Sequence, residues 1–119
     1  MNPLKENIHE ITTLKELDYL IKNNKCAILK ASAVWCKPCK LIEPFFNELI
    51  NSLDNDICII KIDLDKATEI KRKLRIQAVP YMANFFNSEV MDIINTSNRD
   101  MIRKFINKTE EKYDMLKSD

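Results

Sequence analysis

The 119-residue sequence contains no glycine. Any backbone position that needs a positive φ must therefore be filled by asparagine, aspartate or a residue that tolerates that region less well. An excess of charge of either sign is also missing: 19 lysines and arginines face 18 aspartates and glutamates. Such a balance leaves no electrostatic footprint for nucleic acid or for an anionic membrane surface. No apolar run approaches the length of a membrane span. Met1-Asn2-Pro3-Leu4-Lys5-Glu6-Asn7 has no apolar stretch of the kind a signal peptide uses. Histidine occurs once, at His9, and cysteine four times, at positions 26, 36, 39 and 58. Four cysteines are too few for a disulfide scaffold at this length. The expectation is a reducing, cytoplasmic setting, where a close cysteine pair is more often catalytic than structural.

What is present is a 45% hydrophobic chain, long enough to bury one core, so residues 1–119 read as a single domain. Its most informative stretch is Trp35-Cys36-Lys37-Pro38-Cys39-Lys40. Residues 26–34 before it are mostly apolar and free of breakers, which reads as a buried strand. After it, Leu41, Ile42, Phe45, Phe46, Leu49, Ile50 and Leu53 recur at helical spacing. The cysteine pair thus falls on a strand-to-helix junction, with Cys36 at the helix N-terminus. Free N–H groups and the helix dipole favour an anion there, and a thiolate is such an anion. The thiolate is the nucleophile of disulfide exchange, and a second thiol within the same turn can resolve the mixed disulfide. A zinc site would need a second ligand pair. Cys26 and Cys58 stand alone and read as small core residues, so no metal or other cofactor is expected.

The remaining elements follow in order. Residues 7–11 can form a short first strand. Thr13 and Glu16 make a capping box for a helix that Asn23-Asn24 ends, asparagine being the best substitute for glycine at that position. Pro38 fits the first turn of the central helix, and Pro44 lies inside it and bends it. Ile57 to Asp63 is a second buried strand, followed by a short helix over 65–74. Tyr81 to Phe86 and Glu89 to Ile94 form a hairpin around Asn87-Ser88. Asn98 caps a last helix through Met101, Ile102, Phe105 and Ile106, and 108–119 reads as a charged helical extension or tail. This order predicts an α/β domain, a mixed sheet with helices on both faces.

Trp-Cys-x-Pro-Cys-Lys between such a strand and helix resembles the thioredoxin family. The resemblance covers roughly residues 11–106 and includes Pro44, Lys61-Ile62-Asp63 and Val79-Pro80. It implies the thioredoxin fold and a protein-disulfide oxidoreductase, with Cys36 the attacking and more exposed thiol and Cys39 the resolving thiol. It also implies a cis Pro80 facing the pair. Val79 would offer backbone hydrogen bonds to an extended substrate, and Trp35, Lys37, Pro38 and Thr96 would border the groove. The partners implied are disulfide-containing proteins and a separate thioredoxin reductase or low-molecular-weight thiol. Neither nucleic acid nor membrane is among them.

Three departures from the family stand out. Lys37 replaces the usual glycine and sets a cation beside Cys36. Tyr81 and Thr96 add bulk near the groove. Lys30 occupies the place of a buried aspartate that in the family takes the proton of the resolving thiol, while Lys61, its usual partner, is kept. Two lysines then face one region with no obvious carboxylate between them. Lys30 either reaches solvent by snorkelling, stays charged and stabilises thiolates, or is neutral and itself accepts the proton, so it joins the catalytic candidates. The second reading is a thioredoxin-fold binding module with a vestigial dithiol. The groove changes and the lost aspartate favour it, and the intact hexapeptide opposes it.

Overall fold

The computed structural model describes residues 5–117. In chain order these form β1 (Ile8–Glu10), α1 (Leu14–Asn23), β2 (Cys26–Ser32), α2 (Lys37–Asn51), β3 (Ile57–Asp63), α3 (Thr68–Leu74), β4 (Tyr81–Phe86), β5 (Glu89–Ile94) and α4 (Arg99–Lys117). One five-stranded sheet has the order β1-β3-β2-β4-β5. β2 pairs in parallel with β3 and antiparallel with β4. The parallel pairs are joined through helices, and the β4–β5 hairpin supplies the antiparallel edge.

The alternation of β2 divides the core in two. Ala27, Leu29 and Ala31 face Leu17, Leu20 and Ile70 of α1 and α3. Cys26 and Ile28 face Ile42, Phe46 and Ile50 of α2 and Ile102, Phe105 and Ile106 of α4. Both faces of β2 are covered, which is why it reads as an unbroken apolar run. Phe46 is fully buried under the sheet, and burying a side chain of that size contributes roughly 1.5–3 kcal/mol. It ties α2 down nearly two turns beyond the hexapeptide's end, so the start of α2 has a fixed height above β2.

Local chemistry sets the boundaries. Thr13 and Glu16 form the expected capping box, the Glu16 N–H donating to Thr13 Oγ1 (3.2 Å) and the Thr13 N–H to Glu16 Oε1 (3.2 Å). Asn24 is extended rather than left-handed, with φ −133°. The α1 carbonyls are instead met by side chains, Asn23 Nδ2 donating to the Tyr19 carbonyl (2.7 Å) and Asn24 Nδ2 to that of Leu20 (2.8 Å). α2 starts at Lys37, earlier than its apolar spacing alone indicates, and runs as one helix through Pro44. α3 begins at Thr68, three residues later than expected. Asn98 Oδ1 accepts the Met101 N–H (3.0 Å) at the start of α4. The last helix continues to Lys117 with Thr109 and Tyr113 buried, and Tyr113 donates its hydroxyl to Asp56 Oδ2 (3.3 Å).

Positive φ occurs at Arg75 (56°), Asn87 (52°) and Ser88 (73°). The hairpin pair fits the requirement of a two-residue turn for left-handed residues at both central positions. Arg75 closes α3 in the left-handed region (φ 56°, ψ 44°), where glycine is the usual occupant. Its side chain is exposed, so Arg75→Gly isolates the backbone effect. The variant is expected to be more stable by about 0.5–1 kcal/mol, read as a higher urea midpoint at unchanged m-value. An unchanged or lower midpoint would show that the left-handed cap carries no such cost.

Candidate active site

β2 ends at Ser32, and the chain turns through Ala33-Val34-Trp35 into α2. The Cys36 N–H donates to the Ala33 carbonyl (3.1 Å), which fixes this turn. Cys36 is the N-cap of α2, and its Sγ accepts the N–H of Cys39 (3.2 Å). Pro38 sits in the first turn, where its missing N–H leaves no gap in the ladder. Cys36 and Cys39 are joined as a disulfide, with Cα atoms 5.3 Å apart. The Val79–Pro80 peptide is cis, and Cys36 Sγ lies 3.8 Å from the Val79 carbonyl oxygen. Ala33, both cysteines and Val79 pack as one small cluster.

Most expected site residues meet here. Trp35 is largely exposed, and its Nε1–H donates to Asp65 Oδ2 (2.9 Å), which holds the ring beside the dithiol. Lys37 and Pro38 are exposed, Val79 and Thr96 half-buried, and Pro80 buried. In the oxidised pair the two cysteines are almost equally covered, Cys36 4% and Cys39 3% accessible, with Val79 packed against their cluster.

Lys30 is where the structure most changes the sequence reading. It is buried (2% exposed) and does not snorkel. Lys30 and Lys61 are register partners on β2 and β3, pointing to the α2 side. Like charges directly opposite each other are destabilising. The expectation that no carboxylate stands between them is wrong: Glu43 of α2 ion-pairs with Lys30 through Oε2 and with Lys61 through Oε1 (2.9 Å). Lys61 Nζ also donates to Asn47 Oδ1 (2.7 Å), and the Lys30 ammonium lies 4.8 Å from the Phe46 ring centroid. Burial first, and then the charge of Lys61, lower the Lys30 pKa to about 7, with Glu10 pulling the other way. The Glu43 contact also favours the ammonium. Lys30 therefore carries its proton in mildly acidic solution and loses it as the pH rises through the neutral range.

Sequence reading also missed two other residues. Asp65 anchors Trp35. Asn95, just after β5, donates from Nδ2 to the carbonyls of Ala78 (3.0 Å) and Pro80, bracketing the cis peptide. Glu43 had a readable signal, since it lies four residues after Cys39 on the same helix face. Asp65 and Asn95 act across loops and leave no such periodicity. Among the described residues no group of three or more histidine, cysteine, aspartate or glutamate side chains could hold a metal ion.

A thioredoxin family profile matches residues 8–108. The chain belongs to the thioredoxin family. It is similar to thioredoxin of Mycoplasmoides gallisepticum, with 34% identity over 82 residues, 69% of this chain and 81% of the relative. It is also similar to thioredoxin 1 of Plasmodium falciparum, with 30% identity over 98 residues, 82% and 93% of the two chains. A solved structure of Plasmodium falciparum thioredoxin superposes with a TM-score of 0.79 at 29% identity, covering 83% of this chain and 96% of that one. Oxidised mitochondrial thioredoxin 3 of Saccharomyces cerevisiae gives 0.78 at 28%, covering 85% and 94%. With the dithiol in place, this thioredoxin-family chain is a thiol–disulfide oxidoreductase whose redox pair is Cys36 and Cys39. No helix among the described residues is long and apolar enough to cross a membrane.

The Lys30 geometry fixes a pH dependence. Its pKa is lowered on folding from the model-compound value of 10.5, so between about pH 7 and 10 the unfolded chain binds the extra proton. Stability then rises with pH across that window. Lys30→Met removes this pH dependence. In urea unfolding of the oxidised protein, the variant is expected to exceed the parent near pH 7 by an amount that shrinks toward pH 10. The change across the window is on the order of a few kcal/mol at most. A difference that stays flat with pH contradicts the assignment.

Proposed function

We propose that this oxidoreductase acts on disulfides of other proteins, with Cys36 attacking and Cys39 resolving. The observation that carries the reading is the Cys36 sulfur at the N-cap of α2, accepting the Cys39 N–H. A sulfur so placed is stabilised as the thiolate by a fixed donor and by the helix dipole. In the reduced protein Cys36 Sγ attacks one sulfur of a substrate disulfide, forms a mixed disulfide and expels one substrate thiolate. Cys39, one turn inside, then attacks Cys36 Sγ and releases the second substrate thiol. Two electrons pass to the substrate, and the Cys36–Cys39 bond closes.

The exposed apolar side chains of Val34 and Trp35 flank the pair and suit an extended peptide lying across it. The backbone of Val79, beside the sulfur, supports strand-like pairing with that peptide. Lys37 and Pro38 border the groove on one side and Thr96, next to Asn95, on the other. Lys30 in its charged form stabilises the thiolates through space, partly offset by Glu43. We place the reaction in the cytoplasm, with a separate thioredoxin reductase or a low-molecular-weight thiol returning the electrons.

Reduction of insulin with dithiothreitol, and then with a thioredoxin reductase, tests the activity. Cys39→Ser is expected to accumulate mixed disulfides with substrate proteins and Cys36→Ser to accumulate none. A reversed trapping pattern would exchange the two roles, and failure to reduce insulin would leave a binding module with an idle dithiol. Lys37 tests the electrostatics. It is exposed, so its charge contributes at most about 1 kcal/mol. With roughly 1.4 kcal/mol corresponding to about 30 mV for two electrons, Lys37→Gly is expected to lower the potential by on the order of 10–20 mV in glutathione equilibration. A rise in potential would contradict the argument.

A further inference from the structure

Two cavities share Ser32, Glu43 and Asp63. The larger, about 420 Å3, is bordered by Glu10, Lys30, Glu43, Lys61 and Lys66. The smaller, about 250 Å3, is bordered by Ala33, Val34, Cys39, Lys40 and Glu43. Lys30 borders only the first and Cys39 only the second. Glu43 thus shares one cavity with Cys39 and the other with Lys30, its ion-pair partner.

We propose that Glu43 is the proton acceptor for the resolving thiol of this chain. The inference rests on the reading of Cys39 as that thiol. Three observations carry it. Glu43 is one helical turn beyond Cys39 on α2, so the two side chains lie on one face. Its carboxylate is held by ammonium groups on two strands, Lys30 on β2 and Lys61 on β3. It is half-buried and open to both cavities, so it can take a proton on one side and release it on the other. Asp63 borders both cavities as well, but it lies at the end of β3 rather than one helical turn from Cys39.

The step balances without another reactant. The Cys39 S–H proton moves to the Glu43 carboxylate as the Cys39 sulfur attacks Cys36 Sγ of the mixed disulfide. The Cys36–Cys39 bond forms, the bond to the substrate sulfur breaks, and the substrate leaves as a thiolate. Glu43 then returns the proton to that thiolate or to water. The charges facing Glu43 are Lys30 from β2, Lys61 from β3, Glu10 from β1, Lys40 from its own helix, and Asp63 and Lys66 beyond β3. Lys30 and Lys61 hold the carboxylate in place, and as cations they favour the thiolate that forms on Cys39 as its proton leaves.

Glu43 also serves as counterion to a buried lysine, so Glu43→Gln alone confounds two roles. The decisive comparison is Lys30→Met against Lys30→Met/Glu43→Gln, in which the fully buried ammonium is gone and Lys61 keeps Asn47 as a partner. The readout is the single-turnover rate at which a preformed mixed disulfide on Cys36 is resolved, followed from pH 6 to 10. The double variant is expected to resolve on the order of 10²-fold more slowly near pH 6.5, the lower end of what a positioned base supplies. The gap is expected to close by about pH 9–10, where the thiol ionises unaided. Equal rates at pH 6.5, or a gap that does not close at high pH, would overturn the proposal, as would Asp63→Asn producing the effect instead. If no mixed disulfide forms on Cys36 even in the parent, the oxidoreductase reading fails first, and that outcome is distinct from slow resolution.

Discussion

An ammonium enclosed in the centre of a β-sheet is the constraint around which the active end of the molecule is arranged. Lys30 sits on the strand that is covered on both faces, and Lys61 stands opposite it in register. Desolvation and like-charge repulsion both work against this arrangement. It persists because α2 lowers a carboxylate between the two amines and an aromatic ring beneath them. The same helix carries both cysteines. The depth at which α2 packs on the sheet, the charge near the dithiol and the distance of the sulfurs from Val79 are therefore one geometric quantity.

That coupling distributes the work among elements. Strands supply the lysines, the helix supplies the carboxylate and the sulfurs, and a loop bracketed by Asn95 supplies the cis peptide. None of these groups is adjacent in sequence to all the others. The helix N-terminus does the most with the least, since one cap position both ends the β2–α2 turn and presents the attacking sulfur to a backbone donor. Loss of glycine beside the dithiol leaves this intact, because Lys37 is a helical residue there and no positive φ is required of it.

Much of this was legible in the sequence, for reasons that differ residue by residue. β3, β4 and β5 have the bounds their apolar and turn residues indicate, because period and punctuation are local signals. Cys36 and Cys39 announced themselves by spacing and by the strand and helix around them. The partner of Lys30 did not, because an ion pair between a strand and a helix thirteen positions on has no local period. Arg75 was equally silent: a left-handed cap is read from glycine, and this chain has none. The end of α1 was misjudged in its mechanism, since asparagine met the open carbonyls with its side chain and left its own backbone extended.

Cys26 and Cys58 are neighbours along β2 and β3 yet lie on opposite sides of the sheet, one in each half of the core. Burial pushes their thiols up to about 12 and about 11. Neither can become a thiolate near neutral pH, and a wall of backbone separates them. The molecule is thus a two-electron vessel of fixed capacity. An oxidant that fills it finds no third or fourth thiolate to draw on, and the folded chain cannot pass its disulfide inward to the buried cysteines.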